Sequence, residues 1–155
     1  MKKFVLYIMF AVTLISSSAF ATENANVNYN IQQAFEREFK GAKSVQWENL
    51  STKEIFRATF TFNNERFHAY FLTDGTLLAT GRFIRNENVP MLVSRALNDR
   101  FSKYDVKETI EMVTGAETRY VLRLENEKQV VTIQADLDGS TLVLKKEKKN
   151  SLSKL

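Results

Sequence analysis

His68 is the single histidine in a chain of 155 residues, and there is no cysteine. Proton transfer near neutral pH would have to run through that imidazole, because His is the side chain whose ordinary pKa lies in that range. Its neighbours Phe67 and Ala69 alternate with it in a strand-like pattern, so His68 reads as a solvent-facing hairpin residue. No carboxylate stands at a readable spacing to orient it as a base. Asp136-Leu137-Asp138-Gly139 resembles the middle of a calcium loop, but placing Gly139 at loop position six puts Gln134 at position one and Lys145 at position twelve. Those positions call for Asp and a bidentate Glu. One His and no Cys leave zinc and other transition metals without ligands, and five scattered glycines form no phosphate cradle. No catalytic residue, metal or cofactor is expected.

The remaining candidates are residues that hold rather than react. Alternation puts Arg57, Thr59, Arg66, His68 and Tyr70 on one side of a first sheet. It puts Arg119, Val121, Arg123, Val130 and Thr132 on the matching side of a second. Arg and Tyr are the types that anchor protein interfaces. The candidate binding face is therefore Arg57, Thr59, Arg66, His68, Tyr70, Arg119, Arg123 and Thr132. The same pattern also describes an ordinary solvated face.

The elements that would position these residues repeat. Ala34-Phe35-Glu36-Arg37-Glu38-Phe39 is echoed 62 residues later by Ala96-Leu97-Asn98-Asp99-Arg100-Phe101, and Asp74-Gly75 is echoed 64 residues later by Asp138-Gly139. A first helix is expected over about residues 31–39, with Asn30 as N-cap, Gln33 in capping-box position and Gly41 as the stop. In the strand from Glu54 to Phe62, Phe56, Ala58, Phe60 and Phe62 point inward. Asn63-Asn64 is a hairpin turn, and the return strand sets Phe67, Ala69 and Phe71 inward. Pro90 opens a second helix with a stripe of Val89, Val93, Ala96, Leu97 and Phe101. Strands follow at about 106–113, 119–125, 129–136 and 141–146. Their inward sets are Val106, Ile110 and Met112, then Tyr120, Leu122 and Leu124, then Val131, Ile133 and Ala135. The expected fold is α+β: a tandem repeat of a helix plus a four-stranded antiparallel sheet, with both helices packed on one face of a continuous curved sheet.

Lys2 and Lys3 precede an apolar run to Ile15, and Ala19-Phe20-Ala21 fits a cleavage site, so residues 1–21 read as a signal peptide cut after Ala21. The missing cysteine closes the lipoprotein route, leaving no stable membrane anchor after cleavage and a periplasmic or secreted location. Residues 22–29 read as a flexible leader, 30–86 as the first repeat, 87–146 as the second and 147–155 as a disordered basic tail. The sequence pI of 9.3 comes from the ends. Between Thr22 and Leu144 there are 15 basic and 17 acidic residues, which is no footprint for nucleic acid.

The phrase Ala34-Phe35…Phe39…Ala42-Lys43-Ser44-Val45-Gln46-Trp47-Glu48, with Asp74-Gly75, Val89-Pro90…Phe101…Tyr104 and Asp138-Gly139, resembles the PepSY-like family of exported bacterial proteins. That family's fold is similar to the β-lactamase inhibitor protein (BLIP). Lys40 replaces a usual proline, and Ala135 stands where the first unit has Phe71. The resemblance implies a helix–sheet fold and an envelope location. It implies no catalytic residues, and no motif here matches the inhibitor's own enzyme-binding residues. The function expected is a non-enzymatic module that holds a protein or peptide of the envelope on its open sheet face, as an inhibitor or regulator of an exported enzyme. The alternative is a small-ligand sensor or carrier with an apolar pocket between helices and sheet. Oligomeric state stays open, since an exposed edge strand could pair two copies.

Overall fold

A computed structural model describes residues 25–50 and 54–149; the expected signal peptide and the end of the tail lie outside them. Helix α1 (Tyr29–Glu38) is followed by β1 (Lys43–Asn49), β2 (Ile55–Phe62), β3 (Glu65–Leu72) and β4 (Leu77–Ile84). A short 3-10 turn and helix α2 (Met91–Phe101) lead to β5 (Asp105–Thr114), β6 (Glu117–Glu125), β7 (Gln129–Asp136) and β8 (Thr141–Lys148). All pairings are antiparallel, in one eight-stranded sheet ordered β1 to β8.

Register shows that both helices cover the same side. Phe60 faces Phe67, then Arg82, Glu111 and Tyr120 in turn across β2 to β6. Directly opposed residues share a face. Phe60 packs against Phe35 of α1, with ring centroids 4.9 Å apart, and Tyr120 lies in the core that Val93 of α2 fills. We call this the helix face and the other the far face.

Each helix seals its own apolar patch. Ile31, Ala34 and Phe35 recur at helical spacing and close over Ala58, Phe60, Ala69 and Phe71. Val93, with Val89 at the entry to α2, closes over Leu122, Leu124, Val131 and Ile133. The Asn63-Asn64 turn has positive φ at both residues (48° and 69°), which joins β2 to β3 with the twist a hairpin needs.

Helix α1 starts earlier than the sequence suggests. Its N-cap is Asn28, whose side-chain oxygen accepts from the Ile31 N–H at 3.1 Å, and not Asn30. The reason is tertiary: the Asn28 amide also donates to the Thr73 carbonyl at 2.7 Å, pinning the helix to the β3–β4 turn. The end of the expected leader is likewise held. Val27 is buried, and the Ala25 N–H donates to the Trp47 carbonyl at 3.0 Å along the edge of β1. At the other end β8 runs on to Lys148. Glu147 and Lys148, expected in the disordered tail, are opposite Val130 and Gln129.

The two Asp-Gly corners meet the helices alike. Gly75 (φ 88°) lies against the carbonyl of Asn30, the second residue of α1, where a Cβ would stand 2.7 Å from the oxygen. Gly139 (φ 85°) lies against the carbonyl of Leu92, the second residue of α2, with the same distance at 2.8 Å. Asp74 accepts from the Thr76 N–H and Asp138 from the Ser140 N–H, both at 2.8 Å. Those backbone bonds hold both carboxyls below the usual range.

One inward set is wrong. Ile110 and Met112 do not face the helices. The β5–β6 register shifts between Val106 and Glu108, so an extra residue inverts everything after it. Thr109 and Glu111 take the helix face. Ile110, opposite Val121, and Met112, opposite Arg119, move to the far face.

Candidate functional site

All eight candidate residues share the far face. Thr59, His68, Gly81, Met112, Arg119 and Asp136 form one continuous cross-strand row, and Glu108, Arg123, Thr132 and Lys145 another. Arg57 opposes Tyr70 directly, and Arg66 neighbours His68 along β3.

The face is less polar and less open than alternation suggests. His68 is 3 % exposed, Tyr70 0 % and Thr132 5 %, against the solvent-facing positions expected of them. Among the described residues, the cover comes from the face itself. Ile55, Tyr70, Ala79, Ile110 and Met112 form a third apolar cluster, bordered by Leu50, Leu72, Leu78, Phe83 and Val121. Sequence reasoning missed this cluster because it sent Ile110 and Met112 to the opposite side. The adjacent apolar pair Phe83-Ile84 was its one legible sign, since neighbours in a strand point to both faces. Gly81 makes the closure feasible: a Cβ there would come within 2.7 Å of the Met112 sulfur.

The buried polar groups are tied to one another. The Thr59 hydroxyl and His68 Nδ1 share a hydrogen bond of 2.9 Å. Burial, with Arg57 and Arg66 adding to it, lowers the imidazole to about 3, so it is neutral at ordinary pH. A hydroxyl beside a histidine is the arrangement of a nucleophile and its base. With so low a pKa and so little exposure, this imidazole is a poor proton acceptor. Tyr70 is pushed up to about 12 by burial, against the pull of the Arg57 guanidinium beside it. Arg57, only 12 % exposed, also pairs with Glu48. Burial raises the Glu108 carboxyl, while Arg66, Arg123 and Arg57 oppose the rise.

What reaches solvent is a subset. Arg66 is exposed, with its guanidinium carbon 4.4 Å from the centre of the Phe83 ring. Arg119 is 48 % exposed and bridges Glu117 at 2.8 Å and Asp136 at 3.4 Å. Arg123 is 24 % exposed and lies 3.5 Å from Glu125. Phe83 and Glu108 belong to this site although the sequence did not single them out. Among the described residues, no group of three or more His, Asp or Glu could hold a metal ion.

On the helix face, an open groove of about 530 Å3 lies between the end of α1 and β1. Phe35, Phe39, Val45 and Trp47 form its apolar floor, with Gln32 and Lys40 at its rim.

No family model matches the chain, and no curated protein matches it in sequence. Solved structures do match in fold. A candidate periplasmic protein of Bacteroides eggerthii superposes with a TM-score of 0.69 at 16 % identity, over 80 % of this chain and 90 % of its own. A DUF2874 family protein of Bacteroides uniformis does so with a TM-score of 0.69 at 13 % identity, over 79 % and 90 %. A BLIP-like protein of Bacteroides fragilis gives a TM-score of 0.63 at 16 % identity, over 84 % and 94 %. The chain therefore has a BLIP-like α+β fold, and none of these neighbours points to an enzymatic family. Among the described residues, no helix is long and apolar enough to cross a membrane.

Proposed function

We propose that this chain is an exported, PepSY-like binding module of the cell envelope, without enzymatic activity, that holds a protein or peptide on its far face. Its action is to restrain or regulate an exported enzyme. The observation that carries this reading is the composition of that face: exposed Arg66 and Arg119 and half-buried Arg123 stand beside the buried His68, bonded to Thr59, and the buried Tyr70 next to Arg57. Arginines on a rigid apolar base lose little freedom on binding, which is what an interface anchor requires. The PepSY-like assignment is supported by the sequence phrases that carry the resemblance and by a neighbour described as a candidate periplasmic protein.

In this reading residues 1–21 are removed on export, and residues 30–86 and 87–146 are two copies of one helix-plus-four-strand unit. The matched corners at Gly75–Asn30 and Gly139–Leu92 support the doubling, since both glycines sit on the second carbonyl of their helix.

The test compares two variants as bait in envelope extract: Arg66, Arg119 and Arg123 changed to Ala, and Glu36 and Arg37 of the α1 surface changed to Ala. The reading expects the first to lose a captured partner that the second retains. Equal capture by both variants, or loss only with the α1 variant, overturns it.

The groove between α1 and β1 favours a second reading, carriage of a small apolar ligand, because its aromatic floor is open and of ligand size. Thermal shifts with lipids, haem-like compounds and short peptides test it. Stabilisation by a small apolar compound that Trp47→Ala abolishes would favour this reading, and no stabilisation by any of them counts against it.

A further inference from the structure

The charges of the far face are almost completely matched. Arg57 holds Glu48, Arg119 bridges Glu117 and Asp136, Arg123 neighbours Glu125, and Lys145 lies 2.8 Å from Glu147. On the central strands β3 to β5 two residues are left over. Arg66 and Glu108 each lack an opposite charge within 4.0 Å among the described residues. Their positions flank Phe83: Arg66 lies over its ring, and Glu108 is two residues along β5 from Ile110, which faces Phe83. A guanidinium already stacked on an aromatic ring keeps its outward N–H fork for a planar acceptor and has less motion to lose. Glu108 is half-buried and feels Arg66, Arg123 and Arg57 only from beyond ion-pair distance, so its carboxylate still has room for a direct cation contact.

We propose that Arg66 and Glu108 are the two poles of a contact for an extended partner segment that carries an acidic and a basic side chain close together. The partner's carboxylate takes the free edge of the Arg66 guanidinium, and its ammonium or guanidinium takes Glu108. Phe83 supports the first pole and Arg123 borders the second. The inference rests on the far face being the binding surface, and it assigns the chemistry that face selects. A purely acidic segment would meet Glu108 and a purely basic one Arg66, so the mixed pair is the fit.

The experiment is a titration of the isotope-labelled protein with four short extended peptides, followed by NMR of backbone amides and arginine side chains. One peptide carries Asp and Lys two residues apart, one has Asp changed to Asn, one has Lys changed to Gln, and one has both changes. The mixed peptide should shift the Arg66, Phe83 and Glu108 signals most strongly. Each neutralised peptide should bind about fivefold more weakly, the scale of a single exposed ion pair. Arg66→Gln should erase the preference for Asp over Asn, and Glu108→Gln the preference for Lys over Gln. Arg66→Lys should keep part of the Asp preference, because charge survives while the fork is lost. Far-face shifts of equal size with all four peptides would overturn the two-pole contact and leave the binding face standing. Shifts confined to α1 and β1 would overturn both. No shift with any peptide, in a protein whose spectrum shows it folded, would also remove the proposal.

Discussion

Thr59 and His68 oppose each other on β2 and β3, and the hydroxyl of the half-buried threonine meets Nδ1 of the buried imidazole at 2.9 Å. The contact satisfies the buried imidazole, for which an unpaired ring nitrogen would cost roughly 1–3 kcal/mol. Its role is to brace the face that carries the arginines.

That bracing sets an acid limit on stability. Burial, then Arg57 and Arg66, hold the folded imidazole at about 3, against 6.5 for the ordinary group. Between those values the unfolded chain binds a proton that the folded chain refuses. The contribution of neutral His68 is therefore complete above pH 6.5 and is lost as pH falls toward 3, at up to ~1.4 kcal/mol per pH unit. We predict that His68→Gln, which keeps a partner for Thr59, is less stable than the parent at pH 7. In urea denaturation the gap should narrow steadily from pH 6.5 to pH 4. A gap that does not change with pH would mean the imidazole titrates normally.

The glycine corners give a graded prediction. Gly75→Ala and Gly139→Ala each force a Cβ to within 3 Å of a helix carbonyl at positive φ, whereas Gly41 (φ 90°) has nothing within 4 Å. Gly41→Ala should cost about 1 kcal/mol for backbone strain alone, and the other two noticeably more. Denaturation midpoints that rank Gly41→Ala with or below the corner variants would contradict the close approach.

Phe35 is the most heavily used ring of the first core. Its centroid lies 4.9 to 6.2 Å from those of Phe39, Trp47, Phe60 and Phe71. Phe35→Ala should cost roughly 3–5 kcal/mol, and Phe35→Leu well under half of that. Calorimetry on both variants checks the ordering, and similar losses would argue against a packed aromatic cluster.

Asn28 joins a helix start to a turn 45 residues away. Asn28→Ala removes both the cap and the bond to Thr73, with an expected loss of about 1–2 kcal/mol. Asn28→Ser can restore the cap but is too short to bridge to Thr73, so it should recover only part of the loss. Full recovery with Ser would leave the link to the turn without weight.

The parts of the fold legible in the sequence are those where one rule acts alone. Phe56, Ala58, Phe60 and Phe62 alternate without interruption, and Asn63-Asn64 turns as its residue types dictate. Three features were not legible. The shift between Val106 and Glu108 adds no residue type that marks it, yet it inverts Ile110 and Met112. Asn28 and Asn30 are equally good caps by type, and a contact with Thr73 chooses between them. The burial of His68 and Tyr70 depends on Phe83, Ile110 and Met112 arriving on the same face from two other strands. All eight residues proposed as a face do share one, but only some of them reach solvent.

The row that crosses the helix face has a polar middle. Arg82 lies 2.9 Å from Glu111 and 3.6 Å from Glu65, and the Tyr120 hydroxyl donates to Glu111 at 3.2 Å. This seam parts the oily layer beneath α1 from the one beneath α2, so neither compartment drains into the other. Each helix therefore covers a hydrophobic interior of its own rather than a share of a common one.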